Sequence, residues 1–494
     1  MHTLSLILWT PAVAALIVSL IPDDHPHWVR GVALTGIIGA LVLSWSMAFA
    51  FDPTSFAVQF TESIPWNPGL GSFYALGVDG FSLPMVLLAT LLTLVAALAS
   101  FNLKDRVKGY HVCLLILESG MLGVFSAGDW VLFYVFWEMT LIPLFFLIDQ
   151  WGGKRRHTAS LNFVLYTMGG SVFMLIALLM VYTSSPDHTT TMSAMGKAAN
   201  ALPKDGQIMV FLGLLIGFGV KIPIFPLHGW LPLAHVEAPS PVSILLSGAL
   251  LKMGAYGLLR AAGMLPLAMA ELQPLLAGLA LVGILYGGLL AWRQSDLKAM
   301  VAYSSVSHMG VVLLGISSMN QTGLLGATLQ MTAHGLVAAA LFLLIGLLYE
   351  RTHTREIGDY NSLVLVTPRF AVFTTLALLA LMGLPGTVGF VAELHTLIGG
   401  YERWGWWVGG LCVGVLVSGA YAFRTIGRLF TGPLSQQMRE VQDLRGIELA
   451  AVSLLSFAVV ALGLVPSPVL RLIDASVANL VASKPAPNLN LKEK

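Results

Sequence analysis

The stretch QIMVFLGLLIGFGVKIPIFPLHGWLP, residues 207–232, is long and apolar enough to cross a bilayer, yet it carries a lysine and is interrupted directly after it. Lys221 follows Gln207 by about fourteen residues, roughly 20 Å of helix. Its ammonium is therefore expected well inside a hydrocarbon layer ~30 Å thick. A charge at that depth costs at least ~2.5 kcal/mol. Pro223 and Pro226 then remove two amide donors and free carbonyls on the preceding turn. Irregular backbone at membrane depth is tolerated only inside protein or beside water. A buried charge and a broken helix at one place point to an ion site.

Composition agrees with a membrane protein. Of 494 residues, 56% are hydrophobic and only 10% charged, against about 25% charged in a soluble domain. The formal net charge of +1 provides no basic surface for nucleic acid. Cys113 and Cys412 both fall in apolar segments and read as buried thiols, without metal-binding spacing. Cysteine spacing for an iron–sulfur cluster is absent, as is a Gly-rich nucleotide turn between a strand and a helix. The chain is therefore expected to hold no cofactor and no metal, and its energy source must sit in other chains. The first apolar run, Leu4 to Ile21, lacks a basic leader and a cleavage site, so it reads as a retained helix.

Hydropathy predicts an all-α polytopic membrane protein of about fourteen spans: 3–22, 30–50, 81–101, 111–127, 129–149, 160–183, 207–230, 241–263, 266–291, 297–317, 323–349, 370–400, 404–429 and 447–466. Basic residues set the orientation, because cytoplasmic loops retain them. Lys104, Arg106, Lys108, Lys154, Arg155, Arg156, Arg293, Lys298, Arg351, Arg355, Arg369, Arg428, Arg439 and Arg445 all fall on one side, whereas the loop Phe51–Gly80 has no Lys or Arg. The basic side reads as cytoplasmic, with both termini outside. A second interrupted span, FTTLALLALMGLPGTVGFVAELHTLIGG, carries Gly383, Pro385, Gly386 and Gly389, with Glu393 two turns on. The breaks fall in spans seven and twelve. Spans four to eight and nine to thirteen are then candidate repeats of five helices. An odd count inverts the second copy, and paired interrupted spans are the best sequence pointer to a transport site. The implied organisation is 1–110, 111–263, 264–430 and 431–494. GMLGVFSAG reads as glycine packing within a helix, the segment Ser184–Gly206 as an outer loop, and the part after Pro466 as a short tail ending in KPAPNLNLKEK, with a disordered tip.

Further charges lie inside spans. Glu138 stands in VLFYVFWEMTLIPLFFLI, about nine residues beyond Asp129, where a carboxylate must pair, protonate or meet water. One reading is a neutral glutamic acid that only fixes packing. The other is a partner for a nearby lysine: an opposite charge favours the ammonium and desolvation favours the amine, so a pair that opens and closes is a proton switch. Lys252 in VSILLSGALLKMGAYGLLRAA is either a central carrier or a lysine snorkelling to one face. Glu393 either carries protons or caps the backbone opened by the break. His228, His308 and His334 fill positions between these groups, as a proton relay or as hydrogen-bonded core. His235 and Glu237 lie near a span end, where ordinary solvation is expected. Arg260 reads as an interfacial anchor, and Glu118 and His395 as structural.

The segments FYVFWEMTLIPLFFLI, KIPIFPLHGWLPLAHVEAPSPVSILLSGALLKMGAYGLLR, YSSVSHMG, TAHG, LYERTHTREI and LPGTVGFVAE have an order and spacing that resembles the antiporter-like M subunits of bacterial respiratory complex I, relatives of mitochondrial NADH dehydrogenase subunit 4. The likeness runs from Leu76 to Thr431, with Leu233 a departure where the family often has a polar residue. The resemblance implies a proton-translocating subunit of an NADH–quinone oxidoreductase with fourteen helices, two inverted five-helix repeats and one proton pathway. It implies Glu138 and Lys221 as a modulating pair, Lys252 as central relay, Glu393 as exit group, and His308 and His334 along the axis. It also implies FMN, iron–sulfur clusters and quinone in partner subunits, with the homologous L and N subunits as neighbours, in lipid of the bacterial inner (plasma) membrane. The related L subunit carries a long lateral helix after its last span, for which about 28 residues leave no room. The D subunit of multisubunit cation/proton antiporters shares the lysine–glutamate logic and is the alternative. A solute carrier acting alone fits less well, since no cluster of amides and aromatics marks a solute pocket.

Overall fold

The structure, a computed structural model, describes residues 2–434 and 436–482. Helices α1 (Thr3–Leu20) and α2 (Pro26–Phe49) are followed by a hairpin of β1 (Gln59–Asn67) and β2 (Ser72–Val78). Then come α3 (Ser82–Ala99), α4 (Val107–Ser126), α5 (Trp130–Met139), α6 (Leu141–Trp151), α7 (Arg156–Ser184), α8 (Met192–Asn200) and α9 (Lys204–Lys221). The chain continues through α10 (Trp230–Glu237), α11 (Ser240–Leu245), a π-helical turn (Leu246–Leu250), α12 (Leu251–Met264), α13 (Pro266–Arg293), α14 (Leu297–Ser318) and α15 (Gln321–Thr352). It closes with α16 (Pro368–Leu381), α17 (Val388–Trp404), α18 (Gly409–Phe430), α19 (Gly446–Leu464) and α20 (Ser467–Ala482).

Among the described residues, twelve segments are long and apolar enough to cross a membrane, counting α5–α6, α11–α12 and α17–α18 as one each. The charged α9 and the shorter apolar α16 stand beside them. The helices differ in burial. The apolar windows of α11–α12 and α15 are 100% buried and that of α14 is 94% buried, whereas that of α19 is 28% buried. The core therefore centres on α12, α14 and α15. Close approach depends on small residues: a Cβ on Gly123 of α4 would collide with the Phe136 ring of α5, the packing role expected of GMLGVFSAG.

Both expected breaks are present, with different chemistry. After α9 the helix stops at Lys221 and resumes at Trp230. Pro223 has no amide to offer Gly219 O, so Ile224 N reaches back to that carbonyl at 2.9 Å, and Val220 O, left without Ile224, accepts from the Trp230 indole at 2.9 Å. The second break runs between α16 and α17 through Gly383 (φ +75°) and Gly386 (φ +95°). Only glycine takes that conformation without strain.

Four readings of the sequence are corrected. The loop Phe51–Gly80 contains an antiparallel hairpin, so the helical bundle carries one small sheet. Asn67 Oδ1 accepts from Gly69 N at 3.1 Å and Gly71 has φ +60°, which closes the turn. The second long loop contains α8 and docks on the hairpin, Thr190 N donating to Gly71 O at 3.2 Å. The residues after Pro466 form α20, which buries Ile473, Ser476, Val477 and Leu480, one helical face. Its alternation of polar and apolar residues hid it from a hydropathy scan. Cys412 is exposed and Cys113 half-buried; a span apolar all round does not reveal which face turns inward. The segment KPAPNLNLKEK lies outside the described residues.

Candidate functional site

Lys221 closes α9 and is 2% exposed. Its Nζ donates to Thr140 Oγ1 at 3.1 Å and lies 4.0 Å from the centroid of the Trp137 ring. The ring's electron-rich face attracts the ammonium. Glu138 stands between those two residues in sequence and is half-buried, with Oε1 lacking a hydrogen-bond partner. The two charges interact through space, but no Glu138–Lys221 ion pair forms within 4.0 Å.

Lys252 is fully buried two residues beyond the π-helical turn. There Leu251 N reaches back five residues to Leu246 O, which shifts the carbonyl register. Lys252 Nζ donates to Ser247 O at 2.5 Å and is hydrogen-bonded to His334 Nδ1 at 2.7 Å. When the ammonium donates, Nδ1 is bare and the neutral ring's proton sits on Nε2. His334 Nε2 is buried without a partner. The His334 and His308 ring centroids are 5.6 Å apart. His308 Nδ1 lies 3.4 Å from Glu393 Oε1 and 3.4 Å from Gln330 Nε2. Glu393 stands beside the second break, where a Cβ on Gly383 would strike its Oε2. Four sequence-selected groups thus form one line, Lys252–His334–His308–Glu393, on α12, α15, α14 and α17.

His228 is not part of this line. It lies in the first break, stacked on Phe225 at 5.8 Å and against Tyr286 at 5.3 Å. His235, expected to be solvated, is instead fully buried, stacked on Phe342 at 4.6 Å, with both ring nitrogens unpartnered. It lies within electrostatic range of Lys298 and Lys252. Lys298, read as a loop charge, is 3% exposed and donates to Ala238 O at 2.7 Å. Lys298 lines a cavity of about 1010 Å³ together with Glu237, Asp296, Arg155 and Arg355, and His235 is adjacent in sequence to Val236 of that lining. Glu237 is also buried, paired with Arg155 at 3.3 Å. Arg260, read as an interfacial anchor, is ion-paired to Asp79 at 2.5 Å. Thr140, Trp137, Ser247 and Gln330 were not singled out in the sequence. The only signal for Thr140 and Trp137 is that they flank Glu138.

This arrangement has buried lysines, histidines and a glutamate inside a bundle and an open, charge-lined vestibule at one end. It has the makings of an ion path. The chain as a whole is similar to known proteins. Residues 127–418 match the sequence profile of the family described as NADH:quinone oxidoreductase/Mrp antiporter, TM. The chain is 40% identical to NADH-quinone oxidoreductase subunit M of Rhodobacter capsulatus, over 97% of this chain and 96% of that one. It is 41% identical to NAD(P)H-quinone oxidoreductase chain 4 1 of Picosynechococcus sp., over 96% and 90%. Its fold superposes on a chain of respiratory complex I from Thermus thermophilus with bound NADH with a TM-score of 0.88 at 32% identity, covering 97% and 100%. Full-length identity to M-type subunits, joined to a buried lysine–histidine–glutamate line, places this chain in the antiporter-like subunit M (chain 4) branch of the NADH:quinone oxidoreductase/Mrp antiporter family.

Proposed function

We propose that this chain is the proton-translocating, antiporter-like subunit in the membrane arm of an NADH–quinone oxidoreductase, moving protons along the buried axis while quinone is reduced in other subunits. The observation that carries this reading is the line Lys252–His334–His308–Glu393, whose first three members stand on the helices most withdrawn from the surface. Each member can hold or pass a proton. Lys252 gives a proton to His334 Nδ1 across 2.7 Å. The imidazolium then releases the proton on Nε2. Passage to His308 needs one bridging water or a small ring rotation, because the centroids are 5.6 Å apart. His308 hands on to Glu393 from Nδ1. Glu138 and Lys221 act upstream as a pair whose separation sets the charge of Lys221. Here Lys221 rests on Thr140 and Trp137, an open arrangement; closing the pair would favour the ammonium. His235 and Lys298 supply the line from the vestibule.

Fourteen crossings with both termini outside suit this reading, with α9–α10 and α16–α17 as the interrupted ones. Repeats at 111–263 and 264–430 would be inverted copies, flanked by 1–110 and 431–494. FMN, iron–sulfur clusters and quinone would be held by partner subunits. The homologous L and N subunits would be its membrane neighbours in the bacterial inner membrane. A D-type subunit of a multisubunit cation/proton antiporter is the second reading, favoured only by the breadth of the family profile.

The test is purification of the native assembly followed by reconstitution. Co-purified flavin and iron–sulfur subunits, with proton uptake driven by NADH and quinone, support the proposal. In that assembly Lys221→Ala and Glu138→Gln should lower quinone-reductase rate and proton uptake together. Co-purification with antiporter subunits alone would establish the second reading instead.

A further inference from the structure

Lys252 has a second side, facing away from His334. Positions 252, 256 and 260 fall on one stripe of α12, since residues four apart on a helix lie above one another. Tyr256 is fully buried and donates its hydroxyl to Phe125 O at 3.3 Å. The same oxygen accepts from Arg260 Nη2 at 2.9 Å, and the guanidinium lies 4.8 Å from the ring centroid. Arg260 Nη1 donates to Asp79 Oδ2 at 2.5 Å. The other Asp79 oxygen accepts from Phe81 N and Ser82 N, both at 3.1 Å. The next residue, Gly80, donates its amide to Ser476 Oγ of α20 at 2.9 Å. This cluster sits about twenty residues beyond Ser240, roughly 30 Å along the span from the vestibule.

We propose that Tyr256, Arg260 and Asp79 form a proton stop, closing the face opposite the vestibule so that a proton on Lys252 can leave only through His334. The inference rests on the relay reading of Lys252. A phenol relays a proton only when its oxygen can accept on one side while its hydrogen departs on the other. Here the accepting position is occupied by an arginine N–H, and the hydrogen points at a backbone carbonyl that carries a proton no further. Arg260 keeps its protons at any working pH, and its fixed charge repels an arriving positive carrier. Asp79 offsets the cost of burying that charge and ties α12 to the start of α3, while the Gly80 amide beside it holds α20. The contrast with the open side is direct. His334 and His308 each keep a buried Nε2 with no protein partner, free to take or release a proton.

The experiment uses the whole complex in proteoliposomes, with assembly checked by native gel. Three quantities are read: quinone-reductase rate, protons moved per electron, and passive proton conductance under an imposed pH gradient without substrate. Arg260→Gln alone leaves Asp79 buried and unpaired, so Asp79→Asn/Arg260→Gln is the main variant, because removing both charges perturbs folding least. It should raise passive conductance several-fold and lower protons per electron, while the redox rate holds. Arg260→Lys, which keeps the charge, should stay close to the unmodified complex. Adding Lys252→Ala should abolish the leak. A leak that survives Lys252→Ala would show that the relay reading, and not the stop alone, is wrong. Unchanged conductance and stoichiometry in the assembled double variant would overturn the proposal and leave the ion pair as a fastening. Redox rate and pumping falling together would overturn it too, by placing Arg260 inside the relay.

Discussion

Lys221 and Lys252 are both buried in apolar helices, yet they are held in different ways. Lys221 ends a helix and rests on a hydroxyl and an aromatic ring, with Glu138 beyond ion-pair reach. Lys252 lies within a span and rests on a backbone carbonyl and an imidazole. The first site has an acid nearby that does not touch the lysine. The second has a neutral partner that can itself take the proton. Burial alone therefore does not define a role: under the proposed function Lys221 would serve as a switch and Lys252 as a link in a line.

The largest effect should come from removing either lysine. Lys252→Ala and Lys221→Ala should each cut coupled turnover at least about tenfold, ~1.4 kcal/mol or more on the limiting step, in complexes that still assemble. The two sites should part company with Glu138→Gln. That change should slow the complex by itself, yet add little when Lys221→Ala is already present, while remaining additive with Lys252→Ala. Full additivity with both lysines, measured as quinone-reductase rates, would dissolve the distinction.

A middle-sized effect is expected from the supports of Lys221. Trp137→Leu removes a cation–π contact worth ~0.5–2 kcal/mol, and Thr140→Val removes the hydroxyl acceptor while keeping the shape. Trp137→Leu should slow turnover about two- to thirtyfold by that estimate, Thr140→Val should slow it as well, and proton uptake should fall in step in both. Wild-type rates in both would show that the ring and the hydroxyl are only packing.

The smallest effect concerns Asp79. Burial alone pushes its carboxyl up, but Arg260 and the amide and hydroxyl of Ser82 outweigh burial and hold it below its ordinary value. A depressed carboxyl contributes stability that is present above the unfolded value of ~3.9 and lost as pH falls through the folded one. The stability difference between the unmodified complex and Asp79→Asn should thus stay flat from about pH 5 to 9 and shrink only in stronger acid. Thermal unfolding at stepped pH reads it directly, and a slope within the neutral range would contradict the assignment.

What was legible in the sequence follows from cost. Lys221, Lys252, Glu138 and Glu393 stand out because a charge within an apolar span demands a reason, and the prolines and glycines beside two of them announce the breaks. His308 and His334 were candidates, and only three-dimensional contact separates them from His228. His235 and Lys298 were misplaced because each lies near an apparent span end, where hydropathy reads solvent, whereas the surrounding helices bury them. The π-helical turn leaves no compositional mark in LSGAL. The hairpin and α20 were missed because their apolar faces alternate with polar ones, which a span-length average erases. Asp79 and Arg260 are 181 residues apart, a pairing that no local pattern encodes.

The most direct test of the buried line is His334→Gln in the reconstituted complex, with His228→Gln beside it. Glutamine can still accept a hydrogen bond from Lys252, so the packing survives, but it cannot take on a proton. Redox turnover and proton uptake should fall together in His334→Gln and stay normal in His228→Gln, both fully assembled. Near-normal pumping with His334→Gln would contradict the account, because the line from Lys252 to Glu393 would then carry no protons.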